Sequence, residues 1–143
     1  MKLVDVNVLL YVVNQDDPLH PRVRKWWETC VADEQPVGLT WITILGFLRL
    51  STRTRVFSTP LTPRQAIAKI QTWLNLPNIS LISESEQHWT ILQQLLDELG
   101  TAGNLTSDAH LAAIALSLGA SVVSCDADFA RFRLLRWENP LTQ

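Results

Sequence analysis

Lys2-Leu3-Val4-Asp5-Val6-Asn7-Val8-Leu9-Leu10 opens the chain, and its reading decides the fold. Leu3, Val4 and Val6 read as a short buried strand, and Asp5 interrupts the apolar run at its carboxyl end. A lone carboxylate is strongly disfavoured in an apolar interior. In open parallel α/β sheets, however, ligand sites lie just beyond the carboxyl ends of the strands. Asp5 is therefore either the first member of such a site or the cap of the helix that follows. The stretch taken alone supports both equally.

The pattern of strand followed by acid recurs near the other end of the chain. Ser121-Val122-Val123-Ser124-Cys125 is a β-branched run suited to a central strand, and Asp126 follows it directly. Asp126 is either a second site acid or the cap of a short helix through Phe129 and Phe132. Asp128 reads first as a solvated first-turn acid, although a turn can aim it the same way as Asp126. A third acid, Asp108, begins a helix expected to run to about Leu118, capped by Thr106 or Ser107 and ended by Gly119. It lies three and four residues before Leu111 and Ala112, so it shares the apolar stripe of Ala115 and Leu118 and points inward. A first-turn acid complements the helix dipole wherever it points. That role leaves the inward placement unexplained.

Between these acids, strands and helices alternate. Asn7 is expected to cap a helix over Val8–Val13, and Pro18 or Pro21 to open one that reaches about Ala32 with Val23, Trp26, Trp27 and Cys30 inward. Val37–Leu39 reads as a short strand. Thr40 then caps a nearly all-apolar, and hence buried, helix from Trp41 to about Ser51. Thr62 and Pro63 start a helix with an inner stripe of Ala66, Ile67, Ile70, Trp73 and Leu74. Ile79–Ile82 reads as a strand, and Ser83 starts a helix through Trp89, Leu92, Leu95, Leu96 and Leu99, closed by Gly100. Leu134–Trp137 reads as an edge strand. This alternation predicts an α/β fold, a mostly parallel sheet of about five strands with helices on both faces.

A chain of 143 residues, 47% hydrophobic and 18% charged, is expected to form a single globular domain over 1–143. It has no apolar run near the roughly 20 residues of a membrane span, and its first apolar stretch is broken by Asp5 and Asn7, which points to the cytoplasm. Cys30 and Cys125 read as free thiols. The net charge of -2 conceals an uneven distribution. No acid lies between Glu34 and Glu84, a span that carries Arg49, Arg53, Arg55, Arg64 and Lys69. A basic face beside an acidic cluster suits a phosphate-bearing substrate held next to a metal; a solvated basic surface is the plain alternative. Clustered carboxylates repel one another, and a hard divalent cation such as Mg²⁺ or Mn²⁺ relieves that repulsion while activating a water at a phosphodiester. No Ser-His-Asp order, P-loop or GxGxxG competes, and His20, His88 and His110 are widely scattered.

These residues resemble the PIN-domain ribonucleases, specifically the VapC-type toxins of bacterial toxin–antitoxin pairs. The carrying motifs are Leu3 to Tyr11, Leu45-Gly46-Phe47-Leu48-Arg49-Leu50 with Arg55-Val56-Phe57, Gly103-Asn104-Leu105 leading into Asp108 to Ala113, and Asp126 to Phe132. The resemblance implies a PIN-like three-layer fold and Mg²⁺- or Mn²⁺-dependent cleavage of RNA. Asp5, Asp108 and Asp126 would be the metal-binding catalytic acids, with Asn7 and Asp128 accessory. Arg49, Arg53, Arg55 and Arg131 are the weaker candidates for phosphate contacts. A cognate VapB-type antitoxin and a homodimer are implied as well. The six Trp, including adjacent Trp26 and Trp27, suit either the core or an apolar groove for a partner helix.

One departure from the family pattern stands out. The position where many members carry a Glu on the third helix is Gly46 here, and no acid lies nearby to replace it. The expected site therefore has one ligand fewer. A catalytically weak or inactive module that binds RNA or antitoxin is the alternative reading. A small-molecule phosphatase is disfavoured, because Asp5-Val6-Asn7 lacks the second Asp of a phospho-aspartyl enzyme. Asp5→Asn is expected to abolish Mg²⁺-dependent RNA cleavage by the purified protein, and wild-type rates from that variant would remove Asp5 from the site.

Overall fold

The computed structural model describes residues 1–142. Its strands β1 (Lys2–Val4), β2 (Val37–Thr40), β3 (Ile79–Ile82), β4 (Ser121–Val123) and β5 (Trp137–Glu138) form one sheet in the order β3-β2-β1-β4-β5. Every neighbouring pair is parallel, and Lys2 stands in register with both Val37 and Ser121. The helices are α1 (Val6–Val13), α2 (His20–Ala32), α3 (Trp41–Ser51), α4 (Pro63–Leu74), α5 (His88–Leu99) and α6 (Thr106–Leu118). The expected α/β class and five-stranded parallel sheet are both present.

The period of two along each strand sorts the core into two halves. Val4 and Val123 face one side and pack with Val8, Leu9, Val23, Trp26, Phe47 and Trp73 from α1 to α4. Leu3 and Val122 face the other side and pack with Leu95 of α5, Leu111 and Ile114 of α6, and Phe129 and Phe132. Helices on both faces cover β1, β2 and β4, whose strands therefore read as apolar runs, while Ser80 and Leu81 of edge strand β3 remain exposed. On β2, a Cβ added at Gly38 would stand 2.5 Å from Leu3 Cδ2 and 2.7 Å from Ile82 Cγ1. Neighbouring side chains already occupy that space.

From β1 the chain moves outward through β2 to β3, then returns to place β4 on the opposite flank of β1. Connections from β1 and β4 thus diverge, and a crevice opens at their carboxyl ends, where open α/β sheets bind ligands. Asp5 follows β1 and Asp126 lies just past β4, both at this switch point.

Several local expectations are corrected. Helix α1 starts at Val6, and its cap is Asp5, not Asn7. Thr40 precedes α3 without a side-chain capping bond, since its hydroxyl donates to Thr43 Oγ1 at 3.2 Å. Helix α3 is not wholly buried: Trp41 and Leu45, one turn apart, are 50% and 59% exposed while Ile44 and Phe47 face the core. Ile67 on α4 and Trp89 on α5 also face outward, at 58% and 65% exposure. Helix α5 begins at His88, not Ser83, because a turn closed by His88 N–H on the Ser85 carbonyl precedes it. Helix α6 begins two residues early, continuing a short 3-10 turn (Gly103–Leu105), and the Thr106 hydroxyl donates to the Gly103 carbonyl instead of capping. The last strand is Trp137–Glu138, leaving Leu134 80% exposed. The expected cap on α4 holds: Thr62 and Gln65 form a reciprocal capping box behind Pro63.

Overpacking at Gly38 is felt on both sides of β2. Gly38→Ala is expected to lower stability by about 1–3 kcal/mol, read as a shifted urea midpoint with unchanged slope.

Candidate active site

The site grows from Asp5, which serves as both the helix cap and a lining residue of the crevice. Its backbone N–H continues the sheet by donating to the Val123 carbonyl at 2.9 Å. Its Oδ1 accepts the Val6 N–H at 2.8 Å, the capping bond of α1. Its Oδ2 accepts the Ser124 hydroxyl at 2.8 Å and Asn7 Nδ2 at 3.0 Å. Asn7 Nδ2 also reaches Ser124 Oγ at 3.0 Å, and Asn7 Oδ1 accepts the Cys125 N–H at 3.1 Å. Ser124 Oγ in turn accepts the Asp126 N–H at 3.0 Å. One buried hydroxyl thus joins the ends of β1 and β4, and both site acids depend on it.

Asp126 repeats the dual role. It caps the 3-10 turn Ala127–Arg131 by accepting the Asp128 N–H at 2.9 Å, and it lines the crevice beside Asp5. Asp108, in the first turn of α6, enters from the third side, half-buried as its shared stripe with Leu111 and Ala112 requires. Carboxylate oxygens of Asp108, Asp126 and Asp128 all lie within 4.8 Å of one another, a spacing at which one cation can be shared. Asp5 lies outside this trio but lines the same cavity of about 240 Å³ as Asp108 and Asp126.

The electrostatics follow from the crowding. Burial, then the charges of Asp5, Asp126 and Asp128, push the Asp108 carboxyl up to about 6. Burial also raises Asp5; the hydrogen bonds from Ser124 and Val6 oppose the shift, and the charge of Asp126 adds to it. Burial and the Asp5 charge push the Cys125 thiol up to about 11, so near neutral pH it is neither a thiolate ligand nor a nucleophile. An oxygen-only donor set whose charges repel suits a hard divalent cation and little else.

The fourth wall is α3. The Thr43 hydroxyl donates to the Val4 carbonyl at 2.9 Å and pins this helix to the end of β1. Gly46 lines the cavity, and a Cβ there would meet Val6 Cγ2 at 3.1 Å. The position lacking the family acid is therefore closely packed against the residue that follows Asp5. Of the four arginines proposed for phosphate, Arg49 alone lines the acidic cavity. Arg53 and Arg55 line a separate shallow hollow, and Arg131 lines a groove beside Leu95 and Glu98. Sequence reasoning missed Ser124 and Thr43. For Ser124 the available signal was a hydroxyl residue at the end of a buried strand, where only a specific partner stabilises it; Thr43, on the buried side of α3, carried no comparable signal. The histidines are less scattered than they read, since His88 Nε2 and His110 Nδ1 lie 2.8 Å apart, outside the cavity lining.

The description "PIN domain" matches residues 2–135 of this chain. "Ribonuclease VapC33" of Mycobacterium tuberculosis is 42% identical over 143 residues, covering 100% of both chains. "Ribonuclease VapC37" of the same species is 41% identical over 140 residues, covering 98% of this chain and 97% of the other. Among solved structures, VapBC2 from Rickettsia felis bound to a promoter DNA fragment superposes with a TM-score of 0.71 at 18% identity, covering 96% of this chain and 97% of that one. That last likeness concerns the fold.

The Asp108 shift fixes the sign of a stability effect. A carboxyl held near about 6 in the folded chain against an ordinary 3.8 binds its proton more tightly folded than unfolded. Without metal, stability from this group is therefore present at low pH and lost as pH rises through that window. Asp108→Asn removes the penalty and, since among the described residues no hydrogen bond to its side chain is sacrificed, should stabilise the chelator-treated protein at pH 7.5 by about 1 kcal/mol after allowance for solvent screening. Thermal melts of both proteins in EDTA from pH 4.5 to 8 should diverge as pH rises.

Proposed function

The chain belongs to the PIN-domain family, among its VapC-type ribonucleases, and from that premise we propose that it is a divalent-metal-dependent endoribonuclease acting as the toxin of a toxin–antitoxin pair. The observation that carries this reading is the convergence of Asp108, Asp126 and Asp128 beside Asp5 at the diverging ends of β1 and β4. Asp108, Asp126 and Asp128 would hold the ion, Mg²⁺ or Mn²⁺. Asp5 Oδ2 already accepts two hydrogen bonds, so Asp5 can face an ion only through the remaining lone pair of Oδ1. When bound, the cation supplies a water of lowered pKa and neutralises charge at the phosphate. The reaction adds a water oxygen to phosphorus and breaks one P–O bond to ribose, and the departing oxygen gains a proton. The protein residues hold the acids in place throughout: Ser124 and Asn7 orient Asp5, and the Ala127–Arg131 turn orients Asp126.

The basic loop supports an RNA substrate. Arg53 and Arg55 are exposed on the segment after α3, where they can follow a phosphate backbone leading to the cavity. A groove of about 490 Å³, whose apolar walls Val12, Trp27, Val31 and Trp73 stand beside Arg24, Glu28 and Lys69, suits an amphipathic antitoxin helix. Trp27 packs edge-on against Trp73 at 5.4 Å, so these rings serve the core and wall the groove at once. Trp41 and Leu45 on the first two turns of α3 and Trp89 on the first turn of α5 are exposed apolar groups on helices that follow the carboxyl ends of strands, and we assign them to a homodimer contact. Among the described residues no helix is long and apolar enough to cross a membrane, in keeping with action in the cytoplasm. The binding-only alternative rests on Gly46 and predicts RNA retention without cleavage.

Purified protein should cleave single-stranded RNA in Mg²⁺ or Mn²⁺ and not in EDTA. Asp108→Asn should cut the rate by at least about 10²-fold while leaving the fold intact. Asp5→Asn is the less clean variant, because its amide must turn a donor toward either Val6 N–H or the Asn7 and Ser124 donors. Induced expression should arrest growth, and Asp108→Asn should relieve the arrest; arrest and cleavage at wild-type levels from that variant would sink the proposal. Leu45→Glu should convert dimers to monomers in sedimentation equilibrium.

A further inference from the structure

We propose that Arg49 is the group that grips the scissile phosphate inside the acidic cavity, taking over on α3 the place at which an acid ligand is missing. The inference rests on the ribonuclease reading above and deepens it. Spacing on α3 puts Ile42, Thr43, Gly46 and Arg49 on one face, and all four line the cavity with Asp5, Asp108 and Asp126. Arg49 is the one basic residue of that lining. Among the described residues its guanidinium makes no ion pair, although three carboxylates line the same space. An arginine that borders acids without pairing to any of them leaves its planar fork free for another oxyanion. A phosphodiester is the anion the reaction brings there, and guanidinium matches its two free oxygens bidentately.

Gly46 makes this arrangement possible. Lacking a side chain one turn before Arg49, it puts nothing on this face of the helix between the guanidinium and the acids. A Cβ at Gly46 would meet Val6 Cγ2 at 3.1 Å, so a larger residue there requires Val6 to shift by a few tenths of an ångström. The same helix thus contributes a positive charge where an acid would contribute a ligand. The cavity becomes polarised, with carboxylates on the β1, β4 and α6 sides and one guanidinium on the α3 side. A phosphate seated between them is held from two directions, and charge developing on its oxygens meets a preorganised donor.

The test compares Arg49→Ala and Arg49→Lys with Arg64→Ala, which removes a charge from an exposed position on α4 outside the cavity. Arg49→Ala should lower the single-turnover cleavage rate at saturating RNA by about 10²–10³-fold, and Arg49→Lys should recover part of the loss. Mg²⁺ affinity, measured by calorimetry without RNA, should rise by about 3- to 10-fold in Arg49→Ala because a repelling charge is gone. Binding of a fluorescein-labelled single-stranded RNA in EDTA, read by polarisation, should weaken, with a shallower dependence on salt. Slower cleavage together with tighter metal is a pairing that a merely structural role for Arg49 does not produce. Arg49→Ala that cleaves like wild type, or no worse than Arg64→Ala, while Asp108→Asn is inactive, overturns the role of Arg49 alone. Asp108→Asn that cleaves normally overturns the underlying ribonuclease reading instead.

Discussion

The hydroxyl of Ser124 is the joint on which the site depends. It donates to Asp5 and accepts from Asn7 and from the Asp126 backbone, so the ends of β1 and β4 and the start of α1 share one buried oxygen. Neither Asp5 nor Asp126 can move without breaking a bond to it. The raised proton affinity of Asp5 measures what this costs. Burial disfavours the carboxylate, and the hydrogen bonds from Ser124 and Val6 only partly offset it. Such a network specifies one arrangement because each member leaves an unsatisfied buried partner if it departs.

Asp5 and Asp126 each cap a helical turn and line the crevice, so capping and a place in the crevice are not alternatives. Each acid sits at the junction of a strand and a helical turn, and each uses Oδ1 to accept an N–H from the start of that turn, Val6 for Asp5 and Asp128 for Asp126. The capping bond fixes the rotamer of the carboxylate and directs what remains toward the crevice. Capping is therefore how the fold orients these two carboxylates, and the stability of α1 is coupled to the geometry of the crevice.

Much of the architecture was legible because its signals are local. Leu3-Val4 and Val122-Val123 announce buried strands, Thr62-Pro63-Arg64-Gln65 writes out a capping box, and alternating strands and helices require a parallel sheet. The misplaced starts of α5 and α6 reflect a contest between alternatives of similar local energy, settled by a loop contact: the turn closed by His88 N–H on the Ser85 carbonyl in one case, the Gly103–Leu105 turn in the other. Outward-facing Trp89 and Leu45 fit a helical stripe as well as an inward residue would. Periodicity gives the spacing of a stripe, while only packing against the sheet says which side is covered.

The sequence by itself determined the fold class, the candidate acids Asp5, Asp108 and Asp126 at strand and helix ends, and the lack of an acid at Gly46, because strand patterns, turn chemistry and isolated charges are properties of short stretches. The tertiary structure decided which charges meet. It brought Asp128 into the trio with Asp108 and Asp126, set Asp5 outside that trio in the same cavity lining, and separated Arg49 from Arg53, Arg55 and Arg131. The reason is that electrostatic partners are chosen by distance in space. Residues at opposite ends of the chain become neighbours only when the parallel sheet places β1 against β4.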